Sequence, residues 1–454
     1  MELRSYRQFY SRKSIWMLVC ALAFLFAAGV AAAQDPDEPP GGPPKVRLLP
    51  GPAGAITLAD VNRDDLRATI RGLVSCGTRH SLSSWTDPKR GIGCGRDHIA
   101  AEFKKIAAES GGRLRVVVDH FEVTAPRTGN KPVPLENVYA ILPGDDPALA
   151  KTVFVVSGHF DSMPTNIMDS QSDAPGADDD GSGTAVSIEC ARLLARGHYR
   201  STLVFATVSG EEQGLLGGTR LLHYLEQQGY TIGGMLDNDI VGADFAPGAP
   251  HRVRLFSGLG KIDDGDSPSR ELGRRVEEID GRSSIRLIFR EDRLGRGGDH
   301  MPFVEAGLPA VRFTEPLENY HHEHQTPRIE NGIQYGDLMK FLNFDFMARV
   351  ARDNAEALRE LAMAPAPPAD VALTGVVTPS AKVSWTAPDD TKRAGFELLW
   401  RETTNPRWSV FDFAKSPETF VFKDVSTDNH FFAVRSVGNN GTRSIAVPAV
   451  LHRR

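Results

Sequence analysis

The pattern of hydrophobic positions changes along the chain, and the first pattern predicts a layered α/β domain. From Thr152 to about Phe313, short runs of consecutive apolar residues alternate with segments whose apolar residues recur every three or four positions. The runs are typical of strands buried on both faces, and the spaced segments are typical of helices that cover a sheet. This alternation predicts an α/β fold with a mixed, mostly parallel central sheet and helices on both of its faces.

The same periodicity places individual elements. We predict helices over residues 58–75, 98–108, 184–194 and 215–225, and strands over residues 114–123, 135–142, 152–156, 202–208 and 310–313. In open sheets of this kind, ligands bind beyond the carboxyl ends of the strands. Side chains that directly follow the buried strands are therefore the first candidates for a functional site.

The pattern changes again towards the C-terminus. Residues 363–370 are rich in Pro and Ala and are predicted to form a linker. After them apolar and polar residues alternate with a period of two. The predicted strands cover residues 381–385, 396–402, 419–424 and 430–437. This alternation predicts a small all-β sandwich over residues 371–454, after an α/β domain over residues 55–362.

The first residues have the pattern of a signal peptide over 1–33. A segment with four basic side chains precedes an apolar run over residues 15–28, and an Ala-x-Ala cleavage signal ends at Ala33. Residues 34–54 are rich in Pro and Gly and are predicted to form a flexible leader. We therefore predict export to the periplasm or the extracellular medium, with no stable membrane span after the signal is removed. A retained anchor is the alternative, because the apolar run can be extended towards spanning length.

The net charge argues against one class of protein, and the cysteines predict one disulfide and one free thiol. The formal charge is −6 and there is no long basic run, which argues against a nucleic-acid-binding protein. Cys76 and Cys94 flank a loop rich in Ser, Gly and Trp, and in an oxidising compartment we expect them to form a disulfide. Cys190 lies on the apolar face of a predicted helix, where a buried free thiol is expected.

Side chains that bind metals follow the buried strands. The candidates are His159, Asp161, Asp178, Glu211, Glu212, Asp239 and the histidines at 321, 322 and 324. Hydrolysis of an amide by metals needs a polarised carbonyl, an activated water and a proton shuttle, and two ions about 3.5–4 Å apart supply the first two. Each short motif alone has an ordinary structural explanation. Donors after several strands of one α/β domain, however, indicate a binuclear metal site.

The chemistry of each donor suggests a role. The Asp178 carboxylate has two oxygens and can bridge two ions, and the Gly-rich turn around it lets the backbone approach them closely. His159 suits a terminal position, and Asp161 can hold its imidazole in place. Glu212 can bind one ion, which leaves Glu211 free to take a proton from water and pass it to the leaving amine.

These motifs resemble those of the zinc-dependent exopeptidases of the leucyl aminopeptidase and aminopeptidase Y type, with glutamate carboxypeptidase and glutaminyl cyclase as distant relatives. The family pattern of His-x-Asp, Pro-Gly-Ala-Asp-Asp-Asp-x-Ser-Gly, Glu-Glu-x-Gly-Leu and Asp-His-x-x-Phe is nearly complete between residues 60 and 360. The resemblance implies the three-layer fold of that family. The C-terminal part resembles a fibronectin type III module, with Trp385 and the strand at 432–435 in the expected places.

The resemblance also implies a ligand set for two zinc ions, for which Co or Mn are possible substitutes. It makes His159 and Asp239 ligands of different ions, Asp178 the bridge, Glu212 a further ligand, Glu211 the general base, and Asp161 the residue that orients His159. Asp237 is the alternative to Asp239. The last ligand is implied to be a histidine after the strand at 310–313. His322 is favoured by its spacing to Gln325, with His321 and His324 as alternatives.

The function implied by this resemblance is that of an exported di-zinc aminopeptidase, which releases N-terminal amino acids from peptides with a free N-terminus. A carboxypeptidase is one alternative, in which Arg293, Arg296 or Arg312 would bind the substrate carboxylate. A glutaminyl cyclase, which needs a single zinc, is another. A non-catalytic binding protein is the third, but it would be expected to have lost ligands. The C-terminal module is a candidate for binding a polymer or a protein.

Overall fold

The computed structural model describes residues 51–245, 248, 250–258, 266–374, 377–416 and 418–451. The predicted signal peptide over 1–33 and most of the predicted leader over 34–54 lie outside the described residues, so export stays a prediction. Within the described ranges, no helix is both long enough and apolar enough to cross a bilayer.

The larger part of the chain alternates between strands and helices. In chain order its elements are α1 (Arg63–Val74), α2 (Ile92–Glu109), β1 (Arg115–Val123), β2 (Val133–Leu142), β3 (Thr152–His159), α3 (Gly181–Leu194), β4 (Thr202–Val208), α4 (Leu216–Gln227), β5 (Thr231–Asn238), β6 (Val253–Ser257), α5 (Pro268–Ile279), β7 (Ile285–Ile288), α6 (Met301–Glu305), β8 (Ala310–Thr314), β9 (Arg328–Glu330), β10 (Ile333–Tyr335) and α7 (Phe344–Met363). Short 3₁₀ helices cover Pro126–Thr128 and Met339–Phe341. Every helix and strand that the sequence predicts in this part is present, with ends shifted by a few residues.

Eight strands form one mixed sheet in the order β1-β2-β4-β3-β5-β8-β6-β7. The central strands β4, β3, β5 and β8 are mutually parallel. The strand β2 is antiparallel to β4 on one side, and β6 is antiparallel to β8 on the other. The carboxyl ends of the four central strands therefore lie at one edge of the sheet, which confirms the predicted mixed architecture.

Helices cover both faces of this sheet because its strands are apolar on both sides. In β3, Phe154 and Val156 pack into a core that also contains residues of α1, α2, α3 and α7. Val153 and Val155 alternate with them and pack into a second core with residues of α4 and α6. Successive side chains of a strand point to opposite faces, so one continuous apolar run supplies both cores. The predicted three-layer arrangement is confirmed.

The cysteine predictions are confirmed. Cys76 and Cys94 form a disulfide that joins the end of α1 to the first turn of α2. Cys190 is a free thiol buried in α3, and burial raises the pKa of this thiol well above its ordinary value. Neither feature lies among the candidate catalytic residues, so both belong to the scaffold.

The C-terminal part consists of two small sheets. Its strands are β11 (Ala369–Thr374), β12 (Ala381–Thr386), β13 (Arg393–Glu402), β14 (Ser409–Ala414), β15 (Thr419–Phe422), β16 (His430–Gly438), β17 (Val447–Pro448) and β18 (Val450–Leu451). They pair in the orders β15-β12-β11-β18 and β14-β13-β16-β17. Trp385, Phe396, Phe422 and Phe432 share one core between the sheets. The likeness to fibronectin type III and the domain boundaries at 363–370 stay predictions.

Ion pairs join the sheet of β13, β14 and β16 to helix α5 of the larger part. Arg435 on β16 is 5% exposed and donates to Glu278 of α5 and to Glu397 of β13, at distances between 2.5 and 3.0 Å. Arg407 donates twice to Glu277, at 2.7 and 2.8 Å. The two parts belong to one compact unit. This sheet of the C-terminal part is therefore in contact with α5.

Replacing Arg435 by Ala is expected to lower the free energy of unfolding by about 3 kcal/mol, because it removes a buried guanidinium group that pairs with Glu278 and with the buried Glu397. Urea denaturation followed by circular dichroism measures this change. Lys382→Ala, on the exposed side of β12, is the matched control and is expected to stay within about 0.5 kcal/mol. Equal stability of the two variants would show that these ion pairs do not hold the two parts together.

Candidate metal centre

The candidate site lies at the carboxyl edge of the four parallel strands. His159 is the last residue of β3, and Glu211 and Glu212 follow β4. Asp239 follows β5, and the segment after β8 carries His324. Because these strands are parallel neighbours, their ends bring together side chains that are far apart in the sequence.

The start of α3 supplies the acidic residues between these strand ends. Asp180 caps the helix, and its carboxylate accepts from the Gly183 backbone N–H at 2.8 Å and from the His159 backbone N–H at 2.9 Å. Helix and strand approach so closely that a Cβ at Gly158 would lie 2.3 Å from the Gly183 carbonyl carbon. Glycine at this position therefore allows α3 to present Asp179 beside His159.

Two groups of donors meet at Asp179. Its Oδ1 lies 3.2 Å from Nε2 of His159, which in turn lies 3.7 Å from Oδ1 of Asp239. Its Oδ2 lies 2.9 Å from Nε2 of His324, which lies 3.2 Å from Oε1 of Glu212. In each group of three residues, the donor atoms lie within 4.8 Å of one another, as ligands of a single ion would. Asp179 thus faces both groups, one oxygen to each.

Asp178, the predicted bridge, is not part of either group of donors. Its carboxylate instead accepts from the Gly242 backbone N–H at 2.7 Å. Both oxygens of Asp337 accept from the Asp178 backbone N–H at 2.9 Å, and one accepts from the Asp179 N–H at 2.8 Å. These bonds fix the backbone so that the second aspartate of the run, and not the first, faces the histidines.

His324 is the histidine of this segment that lies in one of the two groups of donors, whereas the sequence favoured His322. The ring of His322 stacks on Phe341 with ring centres 3.7 Å apart, and His321 packs edge-on against Tyr335. His324 has a positive φ of 53°, which is uncommon outside glycine, and its ring meets Asp179 and Glu212. The backbone turn of this segment therefore decides which of its histidines reaches the site.

The candidate ligands fall into groups that differ from those implied by the resemblance. The resemblance implied that His159 and Asp239 belong to different ions, but the structure places both in one group, with Glu212 and His324 in the other. Asp239 directly follows β5, next to β3, whereas the Glu212 turn follows β4 on the other side of β3. The order of the strands thus sets which donors share a group.

The donor set fits divalent cations. Oδ1 of Asp239 and Oε1 of Glu212 are buried and accept no hydrogen bond from the described residues, although each lies near an imidazole nitrogen. Burial alone lowers the pKa of His159, yet its interactions with the carboxylates of Asp161, Asp179 and Asp239 raise it well above its ordinary value. This concentration of negative charge would equally stabilise a bound cation. Mixed imidazole and carboxylate donors are those of catalytic zinc sites.

Asp161 lies beside the imidazole of His159. Its Oδ1 lies 3.4 Å from Nδ1 of His159, on the opposite side of the ring from Asp179. It also accepts from the Ser81 hydroxyl at 2.8 Å and from the backbone N–H groups of Glu211 and Glu212 at 3.3 Å. Asp161 therefore couples the orientation of the imidazole to the turn that carries both glutamates.

Glu211 lines an open cleft beside the two groups. The cleft has a volume of about 500 Å³, and its walls also include Asp179, Glu212, Asp239 and His324. Loss of water contacts raises the pKa of the Glu211 carboxyl well above its ordinary value, and the charges of Asp239 and Glu212 add to this rise while that of His159 opposes it. A carboxylate with a raised pKa next to a cleft suits proton transfer.

The remaining acidic and histidine candidates surround the site without joining it. Asp237 accepts from the Ser157 hydroxyl at 3.0 Å and lies 3.2 Å from Nδ1 of His300. Asp299 accepts from the Gly218 backbone N–H at 3.1 Å. Asp237, Asp299 and His300 therefore form hydrogen bonds around the strand ends and lie outside both groups of donors.

Sequence analysis missed two contacts that shape the site. Asp337, which holds the backbone of Asp178 and Asp179, lies in a loop after β10, and no motif marks it. Arg312 on β8 is fully buried, and its Nη2 lies 2.7 Å from Oδ2 of Asp239, while its Nη1 lies 2.8 Å from Asp292. An arginine inside an apolar strand is the one signal that indicated an ion pair in the core.

The chain is similar to known proteins over most of its length. Residues 137–341 match the family model described as peptidase family M28. A probable zinc metalloprotease of Pyrenophora teres f. teres is 39% identical over 431 residues, covering 88% of this chain and 88% of the relative. One from Leptosphaeria maculans is 40% identical over 425 residues, covering 88% of this chain and 98% of the relative.

Solved structures share the fold. The LapA aminopeptidase of Legionella pneumophila superposes with a TM-score of 0.51 at 20% identity, covering 68% of this chain and 73% of that one. LapB of the same organism superposes with a TM-score of 0.52 at 19% identity, covering 67% of this chain and 74% of that one. These likenesses support the three-layer α/β architecture.

Proposed function

Since the chain belongs to peptidase family M28 and is therefore a metallopeptidase, we propose that it is an exported aminopeptidase that uses two zinc ions to release N-terminal amino acids. The observation that carries this proposal is the position of Asp179, whose two oxygens face two separate groups of donors. A carboxylate in this position is what a pair of ions requires as a shared ligand.

The proposed ligand set follows the two groups. His159 and Asp239 would hold one ion, Glu212 and His324 would hold the other, and Asp179 would be a ligand of both. Asp161 holds His159 through Nδ1, so that Nε2 faces the ion. Co or Mn are possible substitutes, because mixed imidazole and carboxylate sites accept several metals.

Zinc, when bound, would supply the Lewis acid that polarises the scissile carbonyl and lowers the pKa of the attacking water. Glu211 accepts the proton of that water as the new carbon–oxygen bond forms. It then donates the same proton to the leaving nitrogen as the carbon–nitrogen bond breaks. The cleft carboxylates attract the ammonium group of a free N-terminus, which favours an exopeptidase.

Cleavage of aminoacyl-p-nitroanilides, compared with their N-acetylated counterparts with and without a zinc chelator, tests this function. We expect cleavage of the free-amine substrates alone, abolished by the chelator and restored by added zinc. Cleavage of acetylated substrates at equal rates would contradict an aminopeptidase. Two bound ions without any cleavage would instead favour a carboxypeptidase, a single bound ion a cyclase, and no bound ion a binding protein.

Export rests on the signal pattern over residues 1–33. Expression with the full leader is expected to release protein whose N-terminus is Gln34, as determined by N-terminal sequencing. Material that stays in the membrane with an intact N-terminus would support the retained anchor.

A further inference from the structure

The walls of the candidate cleft contain arginines that the proposed mechanism does not use. Arg127, Arg293 and Arg296 line the cleft together with the candidate metal ligands and Glu211. Among the described lining residues, the apolar side chains larger than glycine are Pro126 and Leu215. The cleft therefore offers cationic and polar surface in place of the apolar surface that a large hydrophobic side chain would need.

Arg127 is the first of these cations with an available guanidinium group. Its Nη1 donates to the backbone carbonyl of Glu212 at 2.8 Å, which holds the side chain next to a candidate ligand. The residue is exposed, and no carboxylate within the described part of the chain forms an ion pair with it. A backbone carbonyl does not neutralise an arginine, so Arg127 keeps a full positive charge at the cleft.

Arg296 is the second arginine with an available guanidinium group. Its Nη1 pairs with Glu318, and the side chain is 31% exposed. The charge of Glu318, and more weakly those of Asp179 and Asp239, raise the pKa of Arg296 against the lowering effect of burial. Arg296 is thus anchored by one nitrogen and is close enough to the candidate metal ligands to interact with their charge.

Arg293 and Arg312 already form ion pairs with carboxylates of the protein. Arg293 is 9% exposed and donates to Asp292 at 3.0 Å and to Glu318 at 2.9 Å. Arg312 is buried between Asp239 and Asp292. Of the three arginines that sequence analysis considered for binding a carboxylate, only Arg296 is therefore available to a ligand.

Three arginines share the carboxylate of Glu318. Arg254 donates to its Oε1 at 2.8 Å, and both Arg293 and Arg296 pair with its Oε2. Asp292 is a second partner for Arg293. Arg296 is the most exposed of these three side chains and lines the cleft.

We infer that Arg127 and Arg296 form a carboxylate clamp, which binds a carboxylate of the peptide substrate beside the metal centre. This inference rests on the proposed function and names its substrate class. The carboxylate has two possible sources: the side chain of an N-terminal Asp or Glu, or the α-carboxylate of a very short peptide. Guanidinium groups bind either one through paired charge-assisted hydrogen bonds.

The size of the expected preference follows from the exposure of the clamp. Hydrogen bonds to charged groups are stronger than those between neutral groups, and solvent weakens them at an open cleft. We therefore expect a preference of about tenfold in kcat/KM for a carboxylate over its neutral isostere.

Two matched pairs of substrates distinguish the two possible sources of the bound carboxylate. Glutamyl- and glutaminyl-p-nitroanilide differ in the charge of the side chain, and Ala-Ala and Ala-Ala-amide differ in the charge of the C-terminus. Calorimetric titration of the zinc-loaded protein with glutamate against glutamine, and with leucine against leucinamide, measures the same two differences without turnover.

The variants Arg127→Gln and Arg296→Gln are expected to reduce the preference about tenfold, while kcat/KM for a leucyl substrate changes by less than about twofold. Arg196→Gln is the matched control, since Arg196 is exposed and lies before β4, at the opposite edge of the sheet. It is expected to leave the preference unchanged.

A preference for the charged member of either pair that falls in the two clamp variants, and not in the control, would support the clamp and identify its source. Equal use and equal binding of both members of both pairs would overturn it. So would a preference that neither variant reduces. Failure to cleave any substrate, including the leucyl compound, would count against the proposed function alone, because the calorimetric pairs still decide the clamp.

Discussion

Replacing Glu211 by Gln is expected to lower kcat/KM for free-amine substrates by about 10²–10⁴-fold while the protein keeps its metal ions. Glutamine preserves the size of the side chain but cannot accept the proton of the attacking water. Glu211 belongs to neither group of donors around Asp179, so the metal content is expected to stay at the wild-type value. Turnover and atomic emission analysis of the same preparation measure both quantities.

Glu305→Gln is the matched control for this experiment. Glu305 is exposed at the end of α6, outside the cleft, and the same change of charge is expected to affect neither turnover nor metal content. Full activity of Glu211→Gln would remove Glu211 from the mechanism. Loss of an ion together with activity would make Glu211 a ligand in place of a base.

The second large effect is expected from a pair of neighbouring histidines. His324→Ala is expected to lose one of two ions and to lower kcat/KM by more than about a hundredfold, since even the loss of a group that only supports a ligand costs about 10–100-fold. His322→Ala is expected to keep both ions and to change kcat/KM by less than about twofold. Its ring stacks on Phe341, outside both groups of donors.

Metal content per chain and kcat/KM, measured after dialysis against metal-free buffer, compare the two histidine variants. Both substitutions remove an imidazole from the same loop, so a general disturbance of the loop would affect them equally. The reverse result, with metal and activity lost in His322→Ala alone, would restore the ligand that the spacing to Gln325 favours. Thermal unfolding of both variants checks that each is folded.

Some strands of the structure were not predicted from the sequence, and β5 shows why. Its segment contains Gly233 and Gly234, which interrupt the apolar pattern. In the structure, a Cβ at Gly233 would lie 2.8 Å from the Phe154 ring on β3. The neighbouring strand needs this space, so the residue that weakens the sequence signal is the one that permits the pairing.

The acidic run at 178–180 shows a different limit. Its three consecutive aspartates have equal chemistry in the sequence, and each can bind a metal. In the structure they have separate environments: Asp178 contacts the Gly242 backbone, Asp179 faces the two histidines, and Asp180 caps α3. The hydrogen bonds from Asp337, more than 150 residues away, are part of what separates them.

The sequence by itself determined the three-layer α/β fold, the disulfide, the edge of the sheet that carries the site, and the residue types found there. These properties depend on periodicity and on motifs that follow strands, both of which are local in the chain. The tertiary structure decided that Asp179 and His324 face the other donors, which donors share a group, and which arginines remain available to a ligand. Those properties depend on side-chain direction and on partners distant in sequence, and a difference of one residue in a turn is enough to change them.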